Sequence, residues 1–173
     1  MMTLPELAVD ALEEFLRSFM RRRFGPSQAL VEIVPAAARL ALECIGNSDA
    51  LYHNVEHTML VTLAGHDILR GRALHTHVGV EDYAHVIVAC LGHDIGYVRG
   101  LFREDDADGF VIDSTGNKVT LPRGASDAGL MTHHVDRSKL YVMKRVVPPL
   151  DKQSIADGIE GSRFPPLPDQ HYG

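Results

Sequence analysis

The sequence predicts an all-α fold: a helical bundle with one small hairpin-like insertion. Apolar residues recur at the three- and four-residue spacing of a helix through most of the chain. Two short β-prone runs depart from this pattern, on either side of a turn at 114–117. The 173 residues, 45% of them apolar, are enough for one sizeable core, so a single domain spanning 1–173 is expected.

The first helix is expected to begin after Thr3, which can form a capping box with Glu6. Its last turn carries three arginines, 21–23, whose positive charge complements the helix dipole. Gly25 and Pro26 then stop the helix, because proline lacks the backbone N–H that a further turn needs. A contact with nucleic acid is the alternative explanation of the arginine triplet.

Three further helices are expected before residue 100. The second runs to Ile45 with an interruption at Pro35, the third covers roughly 54 to 70, and the fourth covers Asp82 to about Ile95. The glycine that follows Ile95 is expected to end or bend the fourth helix. Because the fourth helix is the most apolar of them, we expect it to be buried.

The second half of the chain is expected to contain the hairpin, within 110–120, and shorter helices. Helices resume after the cap at 126–127 and again after Asp136, and a last helix covers Asp151–Glu160. The proline-rich end, 163–173, is expected to be extended.

Composition argues against several classes of protein. The net charge of −6 opposes a general electrostatic attraction to nucleic acid, so no nucleic-acid partner is expected. No run approaches the ~18 to 20 apolar residues that span a bilayer, and acidic residues interrupt any signal peptide, so no membrane association is expected. Cys44 and Cys90 are expected to be free, buried thiols of a cytoplasmic protein. Nothing in the sequence indicates an oligomeric state.

Ten histidines are the compositional oddity, and helical geometry begins to sort them. His57 and His66 are nine residues apart, about 900° of helix rotation, so they face opposite sides of the third helix. His53 precedes His57 by four residues and lies on the same side if the turn is helical. Alternatively, Asn54 caps the helix and leaves His53 just outside it, still near His57.

The His-Asp doublet occurs twice, in different surroundings. His66-Asp67 lies near the polar end of an amphipathic helix, where a solvated pair is a sufficient explanation. His93-Asp94 follows the apolar run VIVACLG and is expected to be buried. A buried carboxylate beside an imidazole is costly unless something pairs them. From these residues alone, a divalent cation and an internal hydrogen bond both remain possible.

The combination of YHNVEH, an apolar helix and HDIGY resembles the HD superfamily of metal-dependent phosphohydrolases, and YHNxxH is similar to the first motif of the cyclic nucleotide phosphodiesterases. The resemblance covers about residues 50 to 165 and implies an HD-domain-like helical bundle. It implies that His57, His93 and Asp94 are metal ligands. It also implies that His53 is the general acid that protonates the leaving oxygen.

The resemblance extends to the pair His133-His134, since the phosphodiesterases have two histidines at a comparable place. One of the pair is expected to line the site or bind a second ion. Adjacent side chains diverge on a helix, so we expect only one to point inward and favour His134 as the catalytic residue. A histidine pair in solvent at a helix end is the alternative.

The late aspartate that completes the superfamily's ligand set has no obvious counterpart here. Ser162-Arg163 occupies the place where the phosphodiesterases have Thr-Asp, and the helix that carries the aspartate in bacterial relatives is expected to be missing from this chain. Asp157 is one possible substitute, and water or a partner chain is the other.

The resemblance implies a metal-dependent phosphohydrolase or phosphodiesterase that acts on a small phosphoester, possibly a nucleotide, through a metal-activated water. One or two ions of Mn, Fe, Zn, Co or Ni would serve, and no other cofactor is expected. Two alternatives remain: a non-catalytic HD domain that binds a nucleotide or partner, and a mixed-valence di-iron oxygenase of the same superfamily. The residues that might hold the substrate phosphate are Arg99, Arg103, Arg123 and Arg137.

Overall fold

The computed structural model describes residues 3–164, which form a helical bundle with one small antiparallel hairpin. The helices are α1 (Leu4–Phe24), α2 (Leu30–Ile45), α3 (Val55–Arg72), α4 (Val80–Gly92), α5 (His134–Arg145) and α6 (Lys152–Glu160), and the strands are β1 (Phe110–Val111) and β2 (Lys118–Val119). The predicted all-α class with a hairpin insertion is confirmed. None of the described helices is long and apolar enough to cross a bilayer. Most of the end that was expected to be extended, 165–173, lies outside the described residues.

Helix α4 lies at the centre of the bundle, where it contacts α2, α3 and α6. Its residue Ile87 is fully buried, as are Leu42 of α2 and Ile155 of α6. Each such side chain contributes roughly 1.5–3 kcal/mol by leaving water. The prediction that the fourth helix is buried is therefore confirmed. Because α4 is held on several sides, the residues at its C-terminal end have fixed positions.

Local signals gave several of the helix boundaries. The capping box at the start of α1 is present, since Thr3 N–H donates to the Glu6 carboxylate and Glu6 N–H to the Thr3 hydroxyl. Asn54 caps α3 by accepting the His57 N–H at 3.0 Å. Asp151 caps α6 by accepting from the Ser154 N–H at 2.6 Å.

The expected interruption at Pro35 is wrong, because α2 is one continuous helix through that residue. Pro35 itself is buried, and so are Val34 and Ala38 beside it. Proline removes one helical hydrogen bond. Burial of this apolar face against the core offsets that loss, so tertiary packing overrides the local signal.

The end of α4 differs from the prediction for a long-range reason. The helix stops at Gly92, and a separate 3₁₀ turn, Ile95–Tyr97, follows. Gly96 N–H donates to the Ser138 hydroxyl at 2.9 Å, and a Cβ at Gly96 would lie only 2.0 Å from the backbone oxygen of His134. The backbone must therefore leave the helix to lie directly against α5.

Helix α5 begins at His134, two residues before the start that Asp136 predicted. The expected hairpin is present, and Phe110 pairs with Val119 in it. The guanidinium of Arg137 is fully buried and donates to the carbonyls of Gly96 (2.7 Å) and Val98 (2.9 Å). It also pairs with Asp105 at 3.0 Å and donates to the Val111 carbonyl. Arg137 thus ties the hairpin to the turn after α4 and is not available to a substrate.

Cys44 and Cys90 are both free, as expected, although each is only partly shielded from solvent. Burial raises the pKa of both thiols. A raised pKa keeps them protonated and weakly nucleophilic at neutral pH.

Candidate metal centre

Two chain segments bring four ionisable side chains together. His53 lies in the loop before α3, and His57 lies in the first turn of that helix, which Asn54 caps. His93 and Asp94 lie in the turn between α4 and the 3₁₀ segment, where the backbone is fixed against α5. Asp94 is 2% exposed.

Three imidazole nitrogens converge on one carboxylate oxygen, Oδ2 of Asp94. Nδ1 of His53 is 2.7 Å from it, Nε2 of His93 is 3.1 Å from it and Nε2 of His57 is 3.2 Å from it. The donor atoms of His53, His57 and Asp94 all lie within 4.8 Å of one another, so this set can hold a metal ion.

The ligand set expected from sequence is equally compact. Nε2 of His57 lies 3.3 Å from Nε2 of His93, and both lie 3.1–3.2 Å from Oδ2 of Asp94. An ion bonded at about 2.1 Å to three atoms so spaced would have bond angles of about 100°, between the octahedral and tetrahedral values. The three donor atoms are therefore close enough together for one first-row transition ion to bind all three.

Backbone carbonyls fix the tautomers of two histidines. A carbonyl can only accept, so Nδ1 of His93 donates to the Cys90 carbonyl at 2.7 Å; in the neutral ring the lone pair is then on Nε2, whereas in the imidazolium Nε2 donates to Asp94. His134 does the same with the Met131 carbonyl at 2.6 Å, and its Nε2 is 3.7 Å from Oδ1 of Asp94. Such an outer hydrogen bond is typical of histidines that bind metals.

Tyr97 organises the remaining side of the cluster. Its ring stacks on His53 with centroids 4.2 Å apart and on His134 with centroids 4.4 Å apart. Tyr97 is 1% exposed, and its buried ring lies between the two imidazoles. His134, rather than His133, is the member of the pair that contacts Asp94.

The model of one protein family, Npun_R2479-like, matches residues 2–172. The chain belongs to this family. No curated protein and no solved structure matches it. The match spans every residue of the cluster, so the cluster is part of an Npun_R2479-like domain, whereas membership of the HD superfamily remains an inference from the motifs.

The cluster of this Npun_R2479-like protein holds its carboxylate ionised. Burial acts to raise the pKa of Asp94, but hydrogen bonds from His93 and His53 outweigh it and lower that pKa to about 2. Burial chiefly lowers the pKa of His57, which favours the neutral imidazole that a metal requires. For His93, burial acts to lower the pKa, but the bond to Asp94 outweighs it and raises the pKa.

An ion-pair network ties together the loops that carry the site. Arg99 donates to Asp49 at 2.6 Å and to the Ala125 carbonyl at 3.1 Å, and it also pairs with the buried carboxylate of Asp127. Asp127 N–H in turn donates to Asp49 at 2.6 Å. Because Arg99 is committed here, the exposed Arg103 and Arg123 are the remaining candidates to hold a substrate phosphate.

The expectation that the second His-Asp doublet, His66-Asp67, is solvated is wrong for the histidine. His66 is not solvated: it is 4% exposed and hydrogen-bonded to the Tyr83 hydroxyl at 2.7 Å. Only Asp67 is exposed. The polar residues that follow the doublet in sequence suggested solvent, but helix rotation turns the imidazole inward.

Asp157, the possible substitute for the missing aspartate, lies on the exposed face of α6. The Gln153 side chain donates to it at 2.8 Å. The opposite face of α6 carries Ile155 and Ile159 into the core, so Asp157 points away from the bundle. Arg163, where the phosphodiesterases have an aspartate, pairs with Asp136 at 2.6 Å.

Two aromatic residues of the site had no role in the sequence prediction. Tyr97 stacks within the cluster, and the ring of Tyr52 lies 4.7 Å from that of His57. Tyr52 is 69% exposed and flanks the entrance to the cluster. Both belong to the motifs YHNVEH and HDIGY, and that adjacency is the signal that could have found them.

Proposed function

We propose that this chain is a metal-dependent phosphohydrolase or phosphodiesterase. The observation that carries the proposal is the convergence of three imidazole nitrogens on Oδ2 of Asp94, at 2.7, 3.1 and 3.2 Å. A purely hydrogen-bonded cluster would need a proton for each of these contacts, whereas one cation can compensate them all. The YHNVEH and HDIGY motifs add the reaction class by resemblance.

His57, His93 and Asp94 would hold the ion. Two imidazoles and one carboxylate favour Mn, Fe, Zn, Co or Ni over Ca. When bound, such an ion supplies Lewis acidity and an acidified water. Among the described residues, this ligand set contains one carboxylate, Asp94. A second carboxylate would compensate more of the positive charge of the ion, so we expect weaker metal binding and slower turnover without it.

His53 is suited to deliver a proton. Asp94 accepts its Nδ1–H at 2.7 Å, and this bond orients the ring. Nε2 of His53 is then the atom that donates to the departing oxygen. The side chain is 28% exposed, so a leaving group can approach it.

The proposed substrate is a small phosphoester, and nucleotides are one class of such esters. With a net charge of −6, the chain as a whole repels anions, so attraction must be local. The ion and the exposed Arg103 or Arg123 would provide it. Two free thiols, Cys44 and Cys90, support a reducing compartment, and we place the protein in the cytoplasm.

The test is hydrolysis of bis(4-nitrophenyl) phosphate and 4-nitrophenyl phosphate after loading with Mn, Fe, Zn, Co or Ni in turn. Wild type and His75→Ala, which alters an exposed histidine, should turn over with at least one ion. His57→Ala should lose both metal and turnover. Metal binding without hydrolysis of either ester would favour the non-catalytic alternative.

A second candidate function rests on His134. Its Nε2 is 3.7 Å from Oδ1 of Asp94, whereas the other three histidines lie closest to Oδ2. Asp94 and His134 would then be among the residues that hold a second ion, and this supports the di-iron oxygenase alternative. Two bound irons per chain with oxygen uptake, lost in His134→Ala, would favour that function over hydrolysis.

A further inference from the structure

A cavity of about 500 Å³ lies between the C-terminal ends of α1 and α3 and the start of α4. Residues that line it include Phe19, Arg23, Phe24, Arg70, Gly71 and Tyr83. Arg70 is thirteen residues along α3 from His57, which is about 20 Å of helix. The cavity is therefore a different site from the metal centre.

The floor of the cavity is aromatic. The ring centroid of Tyr83 lies 5.1 Å from that of Phe19 and 5.6 Å from that of Phe24, and the two phenylalanines are 6.4 Å apart. Tyr83 is 2% exposed, so it forms the base of the floor. Aromatic rings arranged in this way offer an apolar surface on which a planar ring can stack.

The second His-Asp doublet supports this floor. His66 holds the Tyr83 hydroxyl at 2.7 Å and packs its ring edge against Phe19, with centroids 4.5 Å apart. Asp67, its neighbour in sequence, lies in the wall of the cavity. His66 and Asp67 therefore do not contribute to the metal centre, and they help to form this cavity instead.

Two arginines and one aspartate lie in the walls of the cavity. The Arg23 guanidinium lies 5.4 Å from the Phe24 ring, and Arg70 faces Asp67 at 3.6 Å, a long distance for an ion pair. Asp67 and about half a negative charge at each of the two helix C-termini offset the charge of these arginines, so an anion would be held here by direct pairing with a guanidinium group.

We propose that this cavity binds a planar aromatic monoanion. Its ring packs against Phe19 and Phe24, and its acidic group pairs with Arg23 and Arg70. The cavity has the size of ordinary small-molecule sites, which combine apolar walls with a few polar groups. Guanidinium groups suit both parts of such a ligand, because they stack on rings and bind carboxylates in a bidentate way.

The test is isothermal titration of the full chain with 2-naphthoate, in buffer containing EDTA so that no ion can bind the carboxylate. The neutral isostere 2-naphthamide shows whether the negative charge is needed for binding, and inorganic phosphate shows whether the aromatic ring is needed. Naphthoate should bind with one site per chain, the amide about tenfold more weakly, and phosphate should give no binding heat. Absence of naphthoate binding, or equal binding of the amide, would overturn the proposal.

Matched arginine variants locate the site. Arg23→Met and Arg70→Met should each weaken naphthoate binding about tenfold. Arg22→Met and Arg72→Met alter neighbours that do not line the cavity and should leave binding unchanged. Equal weakening in all four would indicate a general charge effect and refute the site.

Gly71 provides a steric test that does not depend on charge. It lines the cavity, and a Cβ built there meets no heavy atom within 4 Å. Gly71→Leu should therefore fold and abolish naphthoate binding by occupying the space. Metal content should stay unchanged, since α3 extends about 20 Å between the two sites. Undiminished naphthoate binding in a folded Gly71→Leu protein would place the ligand elsewhere.

Discussion

The rings of Tyr97 and His134 lie nearly parallel, 14° apart, with their centroids separated by 4.4 Å. His53 stacks on Tyr97 as well, with centroids 4.2 Å apart. Sequence positions 53, 97 and 134 come from three separate segments, so this stack is a tertiary feature that joins the proposed acid to the far side of the cluster.

Removal of the Tyr97 ring should disturb catalysis more than metal binding. Tyr97→Leu removes the ring between two histidines, so we expect a lower kcat for phosphodiester hydrolysis with metal content largely kept. Tyr97→Phe keeps the ring and should retain most of the rate. The two variants are compared by steady-state kinetics and elemental analysis, and equal rates in both would rule out a role for stacking.

His93→Ala should remove most of the bound metal. It removes the His93 Nε2 atom, which lies 3.3 Å from Nε2 of His57 and 3.1 Å from Oδ2 of Asp94. The control is His75→Ala, an exposed histidine outside the cluster, which should keep its metal. Elemental analysis of protein purified without chelator decides, and equal metal loss in both variants would contradict the assignment.

His53→Ala should separate an acid from a ligand. If His53 only donates a proton, the variant keeps its metal and hydrolyses phosphodiesters roughly 10² to 10⁴ times more slowly. The loss should shrink for esters with good leaving groups, which need little protonation. Metal loss would instead show that His53, His57 and Asp94 are the ligand set.

Gly96→Ala should destabilise the fold. A Cβ at this position would lie 2.0 Å from the His134 carbonyl oxygen, so α5 or the turn must move. Overpacking of this kind costs typically 1–3 kcal/mol, and a backbone atom yields less than a side chain. Urea denaturation measures the change. Gly71→Ala, where a Cβ meets nothing within 4 Å, is the control and should be neutral or slightly stabilising.

Glu160 should contribute to stability in a way that acid removes. Hydrogen bonds from Arg163 and Lys139 outweigh the effect of burial and lower its pKa to about 2. The contribution is present above the unfolded pKa of about 4.3 and is lost as pH falls towards 2. Glu160→Gln should therefore be less stable than wild type at pH 7, and the gap should narrow below pH ~4. A gap that stays constant with pH would contradict the shifted pKa.

The sequence predicted best those features that neighbouring residues determine. Thr3, Asn54 and Asp151 cap helices through bonds to residues three positions away, so their helix starts could be predicted locally. The end of α4 could not, because it depends on the contact between Gly96 and Ser138, 42 positions apart. The interruption at Pro35 failed for a related reason, since packing in the core overrode a local signal.

The candidate site follows the same division. Helical spacing put His57 and His66 on opposite sides of α3, and motif resemblance selected His53, His93 and Asp94, which the structure brings together. The burial of His66 under the ring of Phe19 came from another helix, α1, and no property of its own segment indicated it. The stack of His53 and His134 on Tyr97 could not be predicted from the sequence either, because it joins three separate segments.

The guanidinium of Arg99 joins three loops that lie beside the metal centre. Asp49 precedes His53 by four residues, Arg99 follows Asp94 by five, and Asp127 precedes His134 by seven. Each loop that delivers a donor to the cluster is therefore clamped at the same charged point. Loss of the Arg99 ion pairs would therefore loosen the loop that carries His53, while His57, His93 and Asp94 keep the positions that the assembled helices give them.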